Sequence, residues 1–204
     1  MLTGFSGGEL ILEERAAQSR GRRLRGRFPY GKPAVLSDGG RNGRPRKEVI
    51  APRAFAYNVE RKEIDIRLLV GHRFDKPLAS RGAGTLTLTD ADDALTFDAI
   101  VTEGVQETTW AKDFFAGFAA GLITGLSPGF RIPPARVSPN AEKVEEEDPA
   151  EGMAIIRTIF DALLFELSMV TSAAYPEAEV QARNWTPGLV VPARPKLAGA
   201  YRWR

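Results

Sequence analysis

The sequence predicts an α+β fold: several short, mostly antiparallel strands, closed or partly closed into a small barrel, with one or two helices on its flanks. Three stretches carry that expectation. GTLTLTDADDALTFDAIV holds two alternating runs, TLTLT and LTFDAIV, around a turn, the pattern of a β-hairpin. IDIRLLV alternates and then becomes continuously apolar, as a strand covered on both faces does. ETTWAKDFFAGFAAGL changes period, placing Trp110, Phe114, Phe118 and Leu122 four residues apart on one stripe of a helix.

The remaining elements follow in chain order. The first twenty residues show little periodicity and read as a loose or helical arm, bounded at residue 21. From Arg22 short strands begin with LRGRFPYG, followed by a loop, LSDGGRNGRPRK, and by EVIAPRAF, a strand ending in a turn. Residues 54–61 suit a short helical turn before IDIRLLV, which Gly71 and His72 end. After the hairpin and the helix, Gly121 and Gly125 lead into LSPGFRI, a strand that Pro133 and Pro134 terminate. Residues 136–152, including PNAEKVEEEDPAEG, read as an acidic loop insert or hairpin tip. AIIRTIFDALLFELS fits a strand followed by a bend, or a helix. The main domain is drawn from 22 to 181, and 182–204 is a Pro-rich basic tail.

Composition narrows the chemistry. With 204 residues and 43% hydrophobic content, the chain suits one domain with a real core. No apolar run reaches the length of a membrane span, and the start lacks the pattern of a secretory signal, so a soluble intracellular protein is expected. The absence of cysteine excludes disulfides, thiolate zinc sites and cysteine nucleophiles. A single histidine excludes multi-histidine metal sites, and no EF-hand or P-loop pattern occurs. A carboxylate-only Mg²⁺ or Ca²⁺ site stays open. The net charge of +2 is unevenly spread: RAAQSRGRRLRGR holds six arginines and no acid, while AEKVEEEDPAE holds six acids. Arginines of this kind can touch phosphates. No aromatic residue interleaves with them, so a base-stacking surface is not expected, and they read as a solvated arm with Arg-rich strand edges.

Three residues stand out for chemistry. His72 follows an apolar strand and a glycine, at a sheet rim, where it serves as a general base or simply bonds a loop. Ser127 emerges from a Gly-rich run and precedes Pro-Gly; it is a held nucleophile or an ordinary turn serine. Pro128 removes the amide next to it, so an oxyanion would need other donors, from Gly129 to Arg131. Glu166 lies inside an apolar run, either orienting a histidine or facing solvent, with Asp75 and Asp161 as competing carboxylates.

The order of these segments resembles the prohead, or capsid-maturation, serine proteases of tailed bacteriophages. EVIAPRAFAYN is similar to the family's E…APGAF segment, and LLVGHRFDKPLAS to its His-Asp-x-x-x-Pro-Leu-Gly segment, with Arg73 at the Asp position and Ala79 at the Gly. GLSPGF resembles G-x-S-x-G-F, with proline in place of a small apolar residue, and ELSMVTSAAYPEAEV resembles the C-terminal signature. The resemblance runs from about Leu24 to Val180. It implies a fold similar to the herpesvirus assemblins, a small β-barrel with flanking helices. It implies an endopeptidase with Ser127 as nucleophile, His72 as base and Glu166 as third member, with Gly129, Phe130 and Arg131 near the oxyanion, and with no metal or organic cofactor. Its substrates would be scaffold protein or the N-terminal arm of the capsid protein, and its own chain. It would act as a homo-oligomer inside the assembling procapsid in the host cytoplasm, away from membrane and nucleic acid. The competing expectation is an assembly or scaffolding β-barrel with a degenerate site; binding of nucleic acid through the basic arm is a further one.

Overall fold

The computed structural model describes residues 2–3, 9–13, 21–41 and 43–171. In chain order, β1 (Leu2–Thr3) and β2 (Glu9–Glu13) precede β3 (Arg22–Pro29), β4 (Pro33–Ser37) and β5 (Arg46–Ile50). A short helix, α1 (Ala56–Glu60), leads to β6 (Arg67–Val70), β7 (Arg73–Ser80), β8 (Leu86–Asp90) and β9 (Ala94–Val101). Helices α2 (Glu103–Gln106) and α3 (Thr109–Ala119) follow. The last strands are β10 (Gly125–Arg131), β11 (Glu142–Glu146), β12 (Ile155–Ile159) and β13 (Leu163–Val170).

These strands form three sheets, ordered β1-β10-β13-β6-β7, β11-β12-β5-β4 and β2-β3-β9-β8. The fold is therefore mostly β with few helices, and the described residues do not close into the expected barrel. The reason lies in two parallel pairings, β5 with β12 and β6 with β13. Both partner chains change sheet at the same level: β5 gives way to β6 through α1, and β12 to β13 through a short bend. Ala51 donates its N–H to the Ile159 carbonyl and Ala162 donates to Ala54, both at 2.8 Å, which ties the two crossings together. The ladder divides there instead of continuing around a ring. AIIRTIFDALLFELS is thus two strands in two sheets, not a helix.

The arm also differs from its reading: the described parts of residues 1–20 are strands, β1 paired with β10 and β2 with β3. The acidic stretch supplies β11, an edge strand whose five residues are all exposed. Edge charge of this kind discourages further strand addition. Strands β4 and β7 have no counterpart in the sequence reading. The first adjoins turn-forming residues; the second begins immediately after the two residues that end β6. Residues 172–181 of the proposed main domain and the 182–204 tail lie outside the described residues.

Alternation explains how the basic stretch is used. Along β3, Leu24 and Phe28 point into the core while the intervening arginines point out. Arg23 and Arg25 bond Asp98, Arg27 bonds Asp93 at 2.7 Å, and the Arg22 guanidinium lies 4.5 Å from the Phe115 ring centroid. The helical stripe docks similarly: Phe114 and Phe118 are buried, and Trp110 donates its indole N–H to the Pro77 carbonyl at 3.1 Å. Leu122, the fourth residue of the expected stripe, is exposed because the helix has already ended. Under the five-stranded sheet, Phe55 packs against Phe28 and Phe130, with centroids 6.2 and 5.7 Å apart. Burying each such ring contributes about 2–3 kcal/mol. Phe130 thereby anchors β10 from below.

Candidate active site

The Gly-rich run before Ser127 is two devices in sequence. Gly121, at φ +69°, ends α3: its N–H bonds the Phe118 carbonyl at 2.9 Å and the Leu122 N–H bonds that of Gly117 at 2.8 Å. This pair of bonds is a Schellman motif, which needs a left-handed residue where glycine sits. Gly125 then opens β10, directly opposite Val170 of β13. Ser127 is consequently a strand residue and not a turn residue.

Strand alternation decides what Ser127 sees. Leu126, Pro128 and Phe130 face the core, so Ser127, Gly129 and Arg131 face the opposite side. On β13, Leu167 and Met169 face the core, while Glu166 and Ser168 lie opposite Gly129 and Ser127. Neighbours of this kind have Cβ positions about 5 Å apart. The register then slips: Phe130 pairs with Leu164, leaving Phe165 as an extra residue. The bulge turns Phe165 and Glu166 to the same face and returns Leu164 to the core. It explains how a glutamate lies in an apolar run without facing solvent or hydrocarbon.

Glu166 is fully buried, and both carboxylate oxygens are bonded. His72 Nδ1 lies 2.7 Å from Oε1, and the Ser168 hydroxyl donates to Oε2 at 2.7 Å. A carboxylate only accepts, so the histidine proton sits on Nδ1 and Nε2 carries the basic lone pair. Space for the carboxylate exists because residue 129 is glycine. A Cβ built there would lie 1.9 Å from Glu166 Oε1.

His72 reaches this position through backbone geometry. Val70 pairs with Arg73, so β6 and β7 are joined by a two-residue turn, Gly71-His72. Both residues have positive φ, +62° and +61°, as a type I′ turn requires. The left-handed conformation costs a histidine about 1 kcal/mol. Such strain persists only where the surroundings hold it. Here the hold is Ser168, whose Oγ accepts the His72 backbone N–H at 2.8 Å while its own proton goes to Glu166. Ser168 therefore fixes the histidine and the carboxylate together, and it is the strand partner of Ser127. Ser168 lies in the ELSMVTSAAYPEAEV stretch, but the sequence assigns it no role, because its partners are set only once the strand is known.

The other expected groups are placed differently. Gly129 and Phe130 are flanked by β1 on one side and β13 on the other, which sets their peptide groups within a ladder and not in a free loop. Arg131 stacks over Phe165 at 4.5 Å, away from Ser127 along the strand. Of the competing carboxylates, Asp75 pairs with Arg73 at 2.9 Å at the exposed start of β7, and that hydrogen bond holds it below the usual carboxylate range. Asp161 accepts the Ser138 hydroxyl at 2.7 Å. Arg73, at the family's Asp position, is engaged in that surface pair. Among the described residues no group of three or more metal-ligating side chains occurs, and no helix is long and apolar enough to cross a membrane.

Ser127, Glu166 and Ser168 are fully buried, whereas the His72 side chain keeps 21% exposure. The histidine is the member nearest solvent. A serine, a histidine in a fixed tautomer and a buried carboxylate suit acyl transfer. Comparison with known proteins bears on the same residues. The family model for caudovirus prohead serine proteases matches residues 38–187, a span that includes His72, Ser127 and Glu166. No curated protein and no solved structure matches the chain.

Proposed function

The chain belongs to the caudovirus prohead serine protease family, and from that premise we propose that it is a serine endopeptidase of capsid maturation using Ser127, His72 and Glu166. The observation that carries the reading is the 2.7 Å bond between His72 Nδ1 and a buried carboxylate, on the sheet face that also bears Ser127. Glu166 holds the imidazole tautomer and stabilises the imidazolium. His72 Nε2 takes the Ser127 proton as Oγ bonds the peptide carbonyl carbon. The carbon–nitrogen bond breaks, the imidazolium protonates the leaving amine, and water, activated by the same nitrogen, releases the acid product. Its substrates are scaffold protein or the N-terminal arm of the capsid protein, together with its own chain, within the procapsid. The burial of Ser127 favours a second reading, an assembly protein in which β10 is only a structural strand.

One experiment separates the two. Full-length protein is incubated with an unfolded polypeptide such as casein, and fragments are identified by mass spectrometry. The protease reading expects cleavage that Ser127→Ala and His72→Ala each reduce by about a thousandfold or more while both variants stay folded. Equal cleavage by Ser127→Ala, or none by the parent protein, supports the assembly reading.

A further inference from the structure

Beside Glu166 the site face continues into a groove of about 570 Å³ lined by Asp65, Arg67, Phe74, Arg131 and Phe165. Two irregularities build it. The bulge in β13 turns Phe165 outward, next to Glu166. In β7 the register passes from Leu69 opposite Pro77 to Val70 opposite Arg73, leaving residues 74–76 without partners on β6 and pushing Phe74 out. Phe74 is 47% exposed, an aromatic ring left at the groove edge. The two cations differ. Arg67 pairs with Asp65 at 3.2 Å. Arg131 rests on the Phe165 ring, and no carboxylate among the described residues pairs with it. A guanidinium supported on an aromatic face is held ready to receive a carboxylate with two parallel N–H bonds. The groove thus has apolar walls and an excess of one positive charge at one end.

We propose that this groove is a specificity subsite for a carboxylate side chain of the substrate, Asp or Glu, with Arg131 as its ligand and Phe74 and Phe165 as its walls. The proposal rests on the protease reading above and deepens it by naming the substrate class. Arg131 lies four residues along β10 from Ser127, about 13 Å at strand rise. An extended peptide covers that span in about three to four residues. The acid therefore stands three to four residues from the scissile bond.

The test is cleavage by the full chain of a randomised decapeptide library, with the cut sites sequenced by mass spectrometry. The parent protein should enrich Asp and Glu at one position, three or four residues from the cut. Arg131→Gln should lower the preference for acid over its amide by about tenfold. Arg131→Glu should exchange it for Lys or Arg, while the melting temperature stays unchanged because Arg131 is exposed. Phe165→Ala should weaken the enrichment at the same position. Cleavage by the parent protein without an acid preference, or a preference that survives Arg131→Glu, overturns the subsite alone. Cleavage of no peptide overturns the protease reading on which it rests.

Discussion

Gly129→Ala tests the geometry at its tightest point. The added methyl would lie 1.9 Å from Glu166 Oε1, 2.6 Å from Cδ and 2.9 Å from Cγ, whereas real contacts of this kind stay beyond 3.0 Å. The carboxylate must therefore withdraw by about 1 Å, and withdrawal lengthens its bonds to His72 and Ser168. Misplacement of that size costs about a hundredfold in rate. Crowding itself costs about 1–3 kcal/mol of stability. The assay is kcat/KM on a cleaved peptide, measured with thermal denaturation for Gly129→Ala, Glu166→Gln and the double variant. Each single variant should lose about a hundredfold or more, and the double variant little more than Glu166→Gln, because both act through one carboxylate. Wild-type activity in Gly129→Ala, or losses that multiply in the double variant, would refute the role given to Glu166.

Other outcomes follow from the same structure. Ser168→Ala should lower kcat/KM by about tenfold and stability by about 1–3 kcal/mol, measured by kinetics and urea titration, since it strips one bond from Glu166 and one from the His72 amide. His72→Asn and His72→Ala both lose the bond to Glu166 and should abolish activity, and because Asn accepts positive φ, His72→Ala should be about 1 kcal/mol less stable than His72→Asn in the same titration. Hydrogen bonds from Arg23, and then Arg25, hold the Asp98 carboxyl below the usual carboxylate range. The unfolded chain therefore binds that proton first as acid is added. The stabilisation is complete above about pH 4 and is lost as pH falls through the depressed value. In urea titrations across pH 2–6, Asp98→Asn should show a correspondingly smaller loss of stability below pH 4.

The candidate site was legible through the family resemblance of its segments, helped by the rarity of its residues in their settings. One histidine in the chain, one glutamate in an apolar run and one serine between glycines leave few combinations, and the structure brings His72 and Glu166 into contact and sets Ser127 on the same face. The hairpin β8–β9 and helix α3 were legible for a different reason: each has a clean period of its own. What escaped depends on register. The bulge at Phe165 and Glu166, the turn residue His72 and the role of Ser168 exist only once β10, β13 and β6 lie side by side. The parallel pairs escaped likewise, since the strands that form them lie about a hundred residues apart and carry no mark of their partners. Pro128 stands out in the sequence because it removes the amide after Ser127. In the structure it faces the core, one residue before β1 begins to cover β10.

The most direct measurement is to locate a covalent adduct. Full-length protein is exposed to diisopropyl fluorophosphate and its peptides are mapped by mass spectrometry. The account predicts one adduct, on the Ser127 hydroxyl, absent from His72→Ala and strongly slowed in Glu166→Gln. An adduct on another serine, or labelling of Ser127 that persists unchanged without His72, would contradict it.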